Sequence, residues 1–188
     1  MKSYLILFAA TLLFCFTACD SDTSTNPRGT EVEKMAGDWW VTHMSSVAEY
    51  EYIFGGTGGM PDESDIENWE WDHLYSEDHS LMYTFNTAAN VSTEMFITDK
   101  GHYWDYKVKA TVDYRARTFT CPTTPNLAYD DCDISIIRGK VLEGAATTPS
   151  GMPADSIVYY IRFSDDNYGF TYTKVSGFRR TGFPADDF

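Results

Sequence analysis

The residues with chemical potential crowd into one stretch. From Asp62 to His79 the chain reads DESDIENWEWDHLYSEDH, with eight carboxylates, two histidines, Trp69, Trp71 and Tyr75. Oxygen-rich loops of this kind hold calcium, but the spacing does not match the ligand pattern of an EF-hand loop. Tryptophans beside carboxylates also suit sugar rings, which stack on the aromatic faces and hydrogen-bond to the acids. The plainer alternative is a solvated loop whose tryptophans close over the fold. Catalytic signals are absent elsewhere. There is no G-x-S-x-G elbow for a serine nucleophile and no H-E-x-x-H pair for zinc. His43, His73, His79 and His102 are scattered, and PSGMPADS reads as a Pro- and Gly-rich loop. No cofactor or metal motif emerges, and an enzyme is not the expected reading.

The elements that would position such residues are strands. KVKATVDY and the residues before it, 102 to 114, alternate with period two. His102, Trp104, Tyr106, Val108, Ala110, Val112 and Tyr114 fall on one face, and Tyr103, Asp105, Lys107, Lys109, Thr111 and Asp113 on the other. That is the pattern of a strand with one buried face. DWWVTHMS, SLMYTFNT (80–87), VSTEMFITD (91–99), RTFTC, DISIIRGKVLEG (133–144), SIVYYIRFSD (156–165) and YGFTYTKVSGFRR (168–180) continue the theme. Eight sequential strands with hairpin-sized connections predict an all-β, antiparallel up-and-down barrel, a closed form without exposed edges whose interior can hold one small ligand. Residues 55–79 interrupt this meander. A short helix is expected after Pro61, because Asp62, Glu63 and Asp65 suit a helix N-terminus. A long insertion between the first two strands is placed to lie across a barrel mouth.

The N-terminus has a different grammar. Lys2 precedes the apolar run YLILFAATLLFCF, too short to span a bilayer comfortably and laid out like a secretory signal peptide. FTAC resembles a bacterial lipobox, with Ala18 before Cys19, although Phe16 stands where leucine is usual. The resemblance implies a signal peptide over 1–18, acylation of Cys19 and lasting membrane attachment, since each buried methylene contributes about 0.8 kcal/mol. Residues 19–35, beginning CDSDTSTNPRGT, read as a flexible tether, and 36–188 as the folded domain. Acidic residues directly behind the cysteine resemble a surface-export signal of Bacteroidota lipoproteins, which implies an outer-membrane protein facing outward. Loss of Lys2 leaves 13 basic residues against 28 acidic ones, a net charge of −15. Such a field makes nucleic acid and anionic lipid surfaces poor partners. Cys121 and Cys132, an even pair in an oxidising compartment, are expected to form a disulfide contributing about 2–3 kcal/mol.

Gly37-Asp38-Trp39 resembles the lipocalin G-x-W motif. With AGDWWVTH, NTAAN, YWDYK and the closing VSGFRRTGFPADDF, it makes the chain resemble, from about Ala36 to Phe188, a family of Bacteroidota lipoproteins. That family carries the description "lipid-binding putative hydrolase" and has a calycin, or lipocalin-like, barrel. The resemblance implies that Trp39 plugs the closed end, with Arg179 or Arg180 as its cationic partner. Trp40 would face outward beneath the tether or the flanking loop, and Gly177 is a candidate bulge that prevents parity from choosing between the arginines. The expected barrel lining is Trp104, Tyr106, Val108, Val112, Tyr159, Ile161, Phe170 and Tyr172, either filling the interior or surrounding a ligand. Burying roughly 300 Å² of a lipid at about 25 cal/mol/Å² gives about 7 kcal/mol before association costs, enough for micromolar binding. A carboxylate headgroup would need a base, such as Arg138, Arg162 or Arg180. The leading expectation is an envelope-anchored, non-catalytic binder of a small apolar or amphipathic ligand. The alternative is an interaction module that meets a glycan or envelope protein through Trp69 and Trp71. Hydrolysis ranks third.

Overall fold

A computed structural model of the chain describes residues 29–73 and 79–188. The expected signal peptide, Cys19 and most of the tether lie outside the described residues. Nine strands follow in chain order: β1 (Gly37–Ser46), β2 (Trp71–Asp72), β3 (Ser80–Asn86), β4 (Glu94–Thr98), β5 (Lys107–Asp113), β6 (Thr118–Pro125), β7 (Asp133–Thr147), β8 (Pro153–Phe163) and β9 (Thr173–Arg179). Neighbours in sequence pair antiparallel from β3 to β9, and β9 pairs back onto β1. The expected eight-stranded up-and-down barrel is therefore present and closed. The two-residue β2 is an appendage on Ser45 and Ser46.

Closure depends on β1 serving two partners. Residues 37–41 pair with β3, while Trp39 to Ser45 pair with β9. Gly177 makes the second pairing possible. Its register is unbroken, Val41 on one side and Ile157 on the other, so it is not the bulge its residue type suggested. A Cβ there would lie 1.9 Å from the Trp40 carbonyl oxygen. The bulge lies instead in β7, where the register slips between Ile137 and Lys140 and Arg138 takes a φ of 52°. At the adjacent Gly139 a Cβ would stand 2.3 Å from the Phe119 ring, so the missing side chain admits a lumen aromatic. Bulges of this kind bend and twist a strand, which a small barrel needs.

Alternation then sorts the two neighbouring tryptophans. Trp39 is wholly buried in the lumen, its Nε1 donating to Thr84 Oγ1 at 2.8 Å. The Arg179 guanidinium lies 4.5 Å from the ring centre and donates to the carbonyls of Ala36 and Lys34. Trp40 points outward, and among the described residues the C-terminal segment covers it: Asp187 accepts from Trp40 Nε1 at 3.0 Å, and Phe188 sits edge-on at 5.6 Å. Arg180, 5.9 Å from the Trp40 ring, is held by two bonds to Asp187. Each tryptophan thus has its own arginine. Val32 and Met35 are wholly buried in the core beside Trp39, so packing reaches further toward the N-terminus than the boundary expected at residue 36.

Three further expectations change. The strand expected over 102–114 begins only at Lys107, and the last strand begins at Thr173. The insertion carries the expected short helix, a 3-10 turn over Glu63–Asn68 capped by Asp62, whose side chain accepts from Ser64 N–H. Ahead of it stands an unforeseen helix, α1 (Val47–Gly55), capped by Ser46 and ended by Gly56 at φ 63°. The part of the insertion from Glu63 to Asp72 does not lie across a mouth. It wraps the outer wall, where Ile66, Trp69 and Trp71 pack on Tyr160 and Tyr172, and Glu67 bridges Arg138 and Lys140. Finally, Cys121 and Cys132 are free thiols rather than a disulfide. Cys121 lies opposite Ile136 and contacts the Lys109 carbonyl, while Cys132 Sγ is 3.1 Å from Asp165 Oδ1.

The seam makes a direct prediction. Gly177→Ala is expected to destabilise the fold by about 2–3 kcal/mol through overpacking against β1, read as a lower urea midpoint; an unchanged midpoint would contradict the close approach.

Candidate functional site

Antiparallel order puts α1 and the β4–β5, β6–β7 and β8–β9 connections at one end of the barrel, and Trp39, Arg179 and the chain's C-terminal segment at the other. The first end is the candidate site. Its cover is the loop 99–106, and that loop is organised by one side chain. Asp99 is wholly buried, and its two carboxylate oxygens accept five backbone N–H groups: Gly101 (3.2 Å), Tyr103 (2.9 Å), Trp104 (2.7 Å), Asp105 (3.2 Å) and Tyr106 (2.9 Å). Lys100, Gly101 and Asp105 take positive φ to wrap the backbone around it. This explains why the period-two pattern of 102–106 does not become strand. The amides that a sheet would have paired are drawn to the carboxylate instead.

Two rings close the mouth from this loop. Tyr103 stacks on His43 at 3.8 Å, and Trp104 stacks on Phe163 at 4.7 Å. The Trp104 Nε1 donates to Asp165 Oδ1 at 3.1 Å, and the Tyr129 hydroxyl donates to the other oxygen of Asp165 at 2.6 Å. At the rim, Glu49 of α1 is buried and accepts from Thr171 N–H at 3.0 Å, tying α1 to the β8–β9 loop. Burial raises the Glu49 pKa, with the bonds from Thr171 acting against it.

Beneath the cover the lumen is apolar except for a small polar group. Tyr106 and Tyr159 are wholly buried and share a hydrogen bond between their hydroxyls. His43, on the same face of β1 as Trp39 and Val41, is also wholly buried. Its Nδ1 is 3.3 Å from Ser80 Oγ, and its Nε2 has no hydrogen-bond partner among the described residues. Burial lowers the His43 pKa to about 4, opposed by the negative charge of Asp99, so the imidazole is neutral near pH 7. Ser80 and His43 invite comparison with an activated nucleophile. Here both groups are buried under Tyr103, the imidazole is a weak base, and Asp99 is already engaged by the backbone. Nothing in the arrangement raises the nucleophilicity of Ser80.

Of the expected lining, Tyr106, Val108, Val112, Tyr159 and Ile161 come together in the lumen core. Trp104 lies at its mouth rather than on a strand. Phe170 and Tyr172 are not in that core: Phe170 lies 6.2 Å from Phe54 of α1, and Tyr172 packs with Ile66 outside the wall, its hydroxyl donating to Glu63 at 2.9 Å. Trp69 and Trp71 stack on one another at 5.5 Å, and Trp71 also meets Tyr160 at 5.4 Å, so this pair is committed to the wall. The sequence reading missed His43 and Asp99 as members of the site. Parity with Trp39 could have placed His43 inward; the role of Asp99 left no comparable sign. Grooves also open on the surface, one of 360 Å³ at the mouth rim between Asn126 and Ser164 and another of 310 Å³ beside Trp40.

The fold and the site together define a closed antiparallel β-barrel with a packed plug at one end and a loop-covered, largely apolar lumen at the other. A family model described as "lipid-binding putative hydrolase" matches residues 24–184, and the chain belongs to that family. No curated protein matches the chain at a significant level.

Two outcomes are expected from this geometry. Asp99→Ala would leave five amides to find new partners, and should cost roughly 3 kcal/mol and speed amide exchange over 101–106. Wild-type stability there would show that the carboxylate does not hold the loop. Because the His43 pKa falls from 6.5 in the unfolded chain to about 4 in the fold, its neutral form is native at pH 7. The unfolded state gains protons first as pH falls, so the His43 contribution is lost between about 6.5 and 4, to a limit of roughly 3 kcal/mol. His43→Phe should flatten that part of the pH–stability curve, and an unaltered slope would count against a buried neutral imidazole.

Proposed function

We propose that this chain holds a small apolar or amphipathic, lipid-like molecule in its barrel and does so without catalysis. The observation that carries the reading is the asymmetry of the two barrel ends. One is filled by Trp39, Val32 and Met35 under Arg179; the other is covered by a loop gathered around the single carboxylate of Asp99. An apolar lumen behind a short loop cover suits ligand capture, and lipid binding is part of the description of the family. An eight-stranded barrel is wide enough for side chains or one small ligand. Entry therefore requires Tyr103 and Trp104 to swing out and the ligand to take up part of the space they close.

The reading extends to location. Acylation of Cys19 behind a signal peptide would tether the barrel to the outer membrane of a Bacteroidota-type envelope, the acidic residues after the cysteine directing it outward. Lipocalin-like affiliation is supported by Trp39 and Arg179, which meet as the G-x-W resemblance implies. Hydrolysis has weaker support, because Ser80 and His43 lack an orienting acid and access to solvent. A glycan or protein contact through Trp69 and Trp71 has weaker support too, since both rings pack on the barrel wall.

Native mass spectrometry of the intact chain, released from its own membranes, tests the proposal. A retained, extractable lipid, lost when Val108→Arg places a charge in the lumen, is the expected result. A bare mass that stays bare after incubation with a panel of lipids and sterols would overturn it.

A further inference from the structure

The polar group inside the lumen selects among lipids. Three of its members are uncharged: the His43 imidazole and the hydroxyls of Tyr106 and Tyr159, all wholly buried. Among the described residues that are buried, none is lysine or arginine. Arg179 is committed at the opposite end to Trp39 and to backbone carbonyls. The carboxylate beside this group is Asp99, whose field is felt by His43, Tyr106 and Tyr159 alike, and Asp165 adds a second acid at the mouth. An anionic headgroup brought here would lose its water, meet no counter-ion and face a like charge. A cationic headgroup fares little better. The oxygens of Asp99 are already taken by five amides, which leaves neutral acceptors for a desolvated ammonium.

An uncharged group meets none of these penalties. His43 Nε2 is a buried nitrogen, unpartnered among the described residues, just under the Tyr103 ring that covers the mouth. Whether it carries the proton depends on which tautomer the contact with Ser80 selects. A hydroxyl on the ligand answers either case, because it both donates and accepts. The Tyr106–Tyr159 pair offers a second contact of the same kind: one hydroxyl donates to the other, whose own proton is then available.

We propose that the lumen takes lipids whose polar end is an uncharged hydroxyl, such as a long-chain alcohol or a monoacylglycerol, with that hydroxyl on His43 Nε2 and the chain along Val108, Val112 and Ile161. This rests on the reading of the barrel as the lipid site. It goes further in assigning the headgroup class and the side chain that reads it.

The test compares three ligands of one chain length, dodecanol, dodecanoate and dodecylamine, by titration into the intact chain near neutral pH, with His43→Phe and Tyr159→Phe alongside. The alcohol is expected to bind at least tenfold more tightly than either charged analogue. His43→Phe, which keeps a ring under Tyr103, is expected to weaken the alcohol by about five- to tenfold. Tyr159→Phe, the gentler change, should weaken it less while the fold is kept. Wild-type selectivity is read without any variant, so a His43→Phe chain that does not fold leaves the comparison standing. Equal binding of all three, or preference for the carboxylate or the amine, would overturn the headgroup assignment and leave the barrel as a lipid site. If none of the three bound, and native mass spectrometry also found no lipid, both readings would fall together.

Discussion

The pairing of β9 with β1 turns a meander into a barrel, and almost everything else in the molecule depends on that seam. It forms because Gly177 has no side chain to collide with the Trp40 backbone, which lets the two strands run side by side over Trp39 to Ser45. Register follows from parity. With Arg179 opposite Trp39 and Phe178 opposite Trp40, the inward tryptophan receives one arginine and the outward tryptophan the next. A shift of one residue would exchange the faces and put a cation where the lumen needs an indole. The same seam carries His43 inward, opposite Val175, at the far end from the plug.

The two ends are closed by different physics. At the plug, burial of Trp39, Val32 and Met35 is reinforced by the Arg179 guanidinium and its backbone partners, so opening it would expose core. At the mouth the cover is a short loop whose amides converge on Asp99. Local opening draws on elements whose stability rests on a few bonds rather than on apolar burial. Tyr103 and Trp104 are the parts of that cover that touch the lumen, on His43 and Phe163.

Much of this was legible in the sequence, and where it was not the reasons are physical. Alternation along Val108, Ala110 and Val112 gave the barrel, because a half-buried strand leaves a period-two signature that little else produces. The plug was legible through Gly37 and Trp39. That Trp40 faces outward was legible by parity, but its contacts with Asp187 and Phe188, far away in sequence, were not. Residues 102–106 misled because their alternation is real but Asp99 outcompetes the ladder for their amides. Helix α1 was missed although Ser46 and Glu49 have capping-box spacing and Gly56 stops it; its aromatic sequence masked the helical period. The cysteines illustrate a different limit. Their even number suggests a bridge, but the register of β6 against β7 gives each thiol its own neighbours.

The most direct measurement of the central claim, that the Asp99-held loop is the door to a lipid-binding lumen, is backbone hydrogen exchange followed with and without a bound lipid. The amides of Gly101 and Tyr103 to Tyr106 should open in a step separate from the β1–β9 seam, and their protection should change when lipid is added. Unchanged exchange at those five amides, with new protection confined to the outer wall around Trp71 or Trp40, would contradict it.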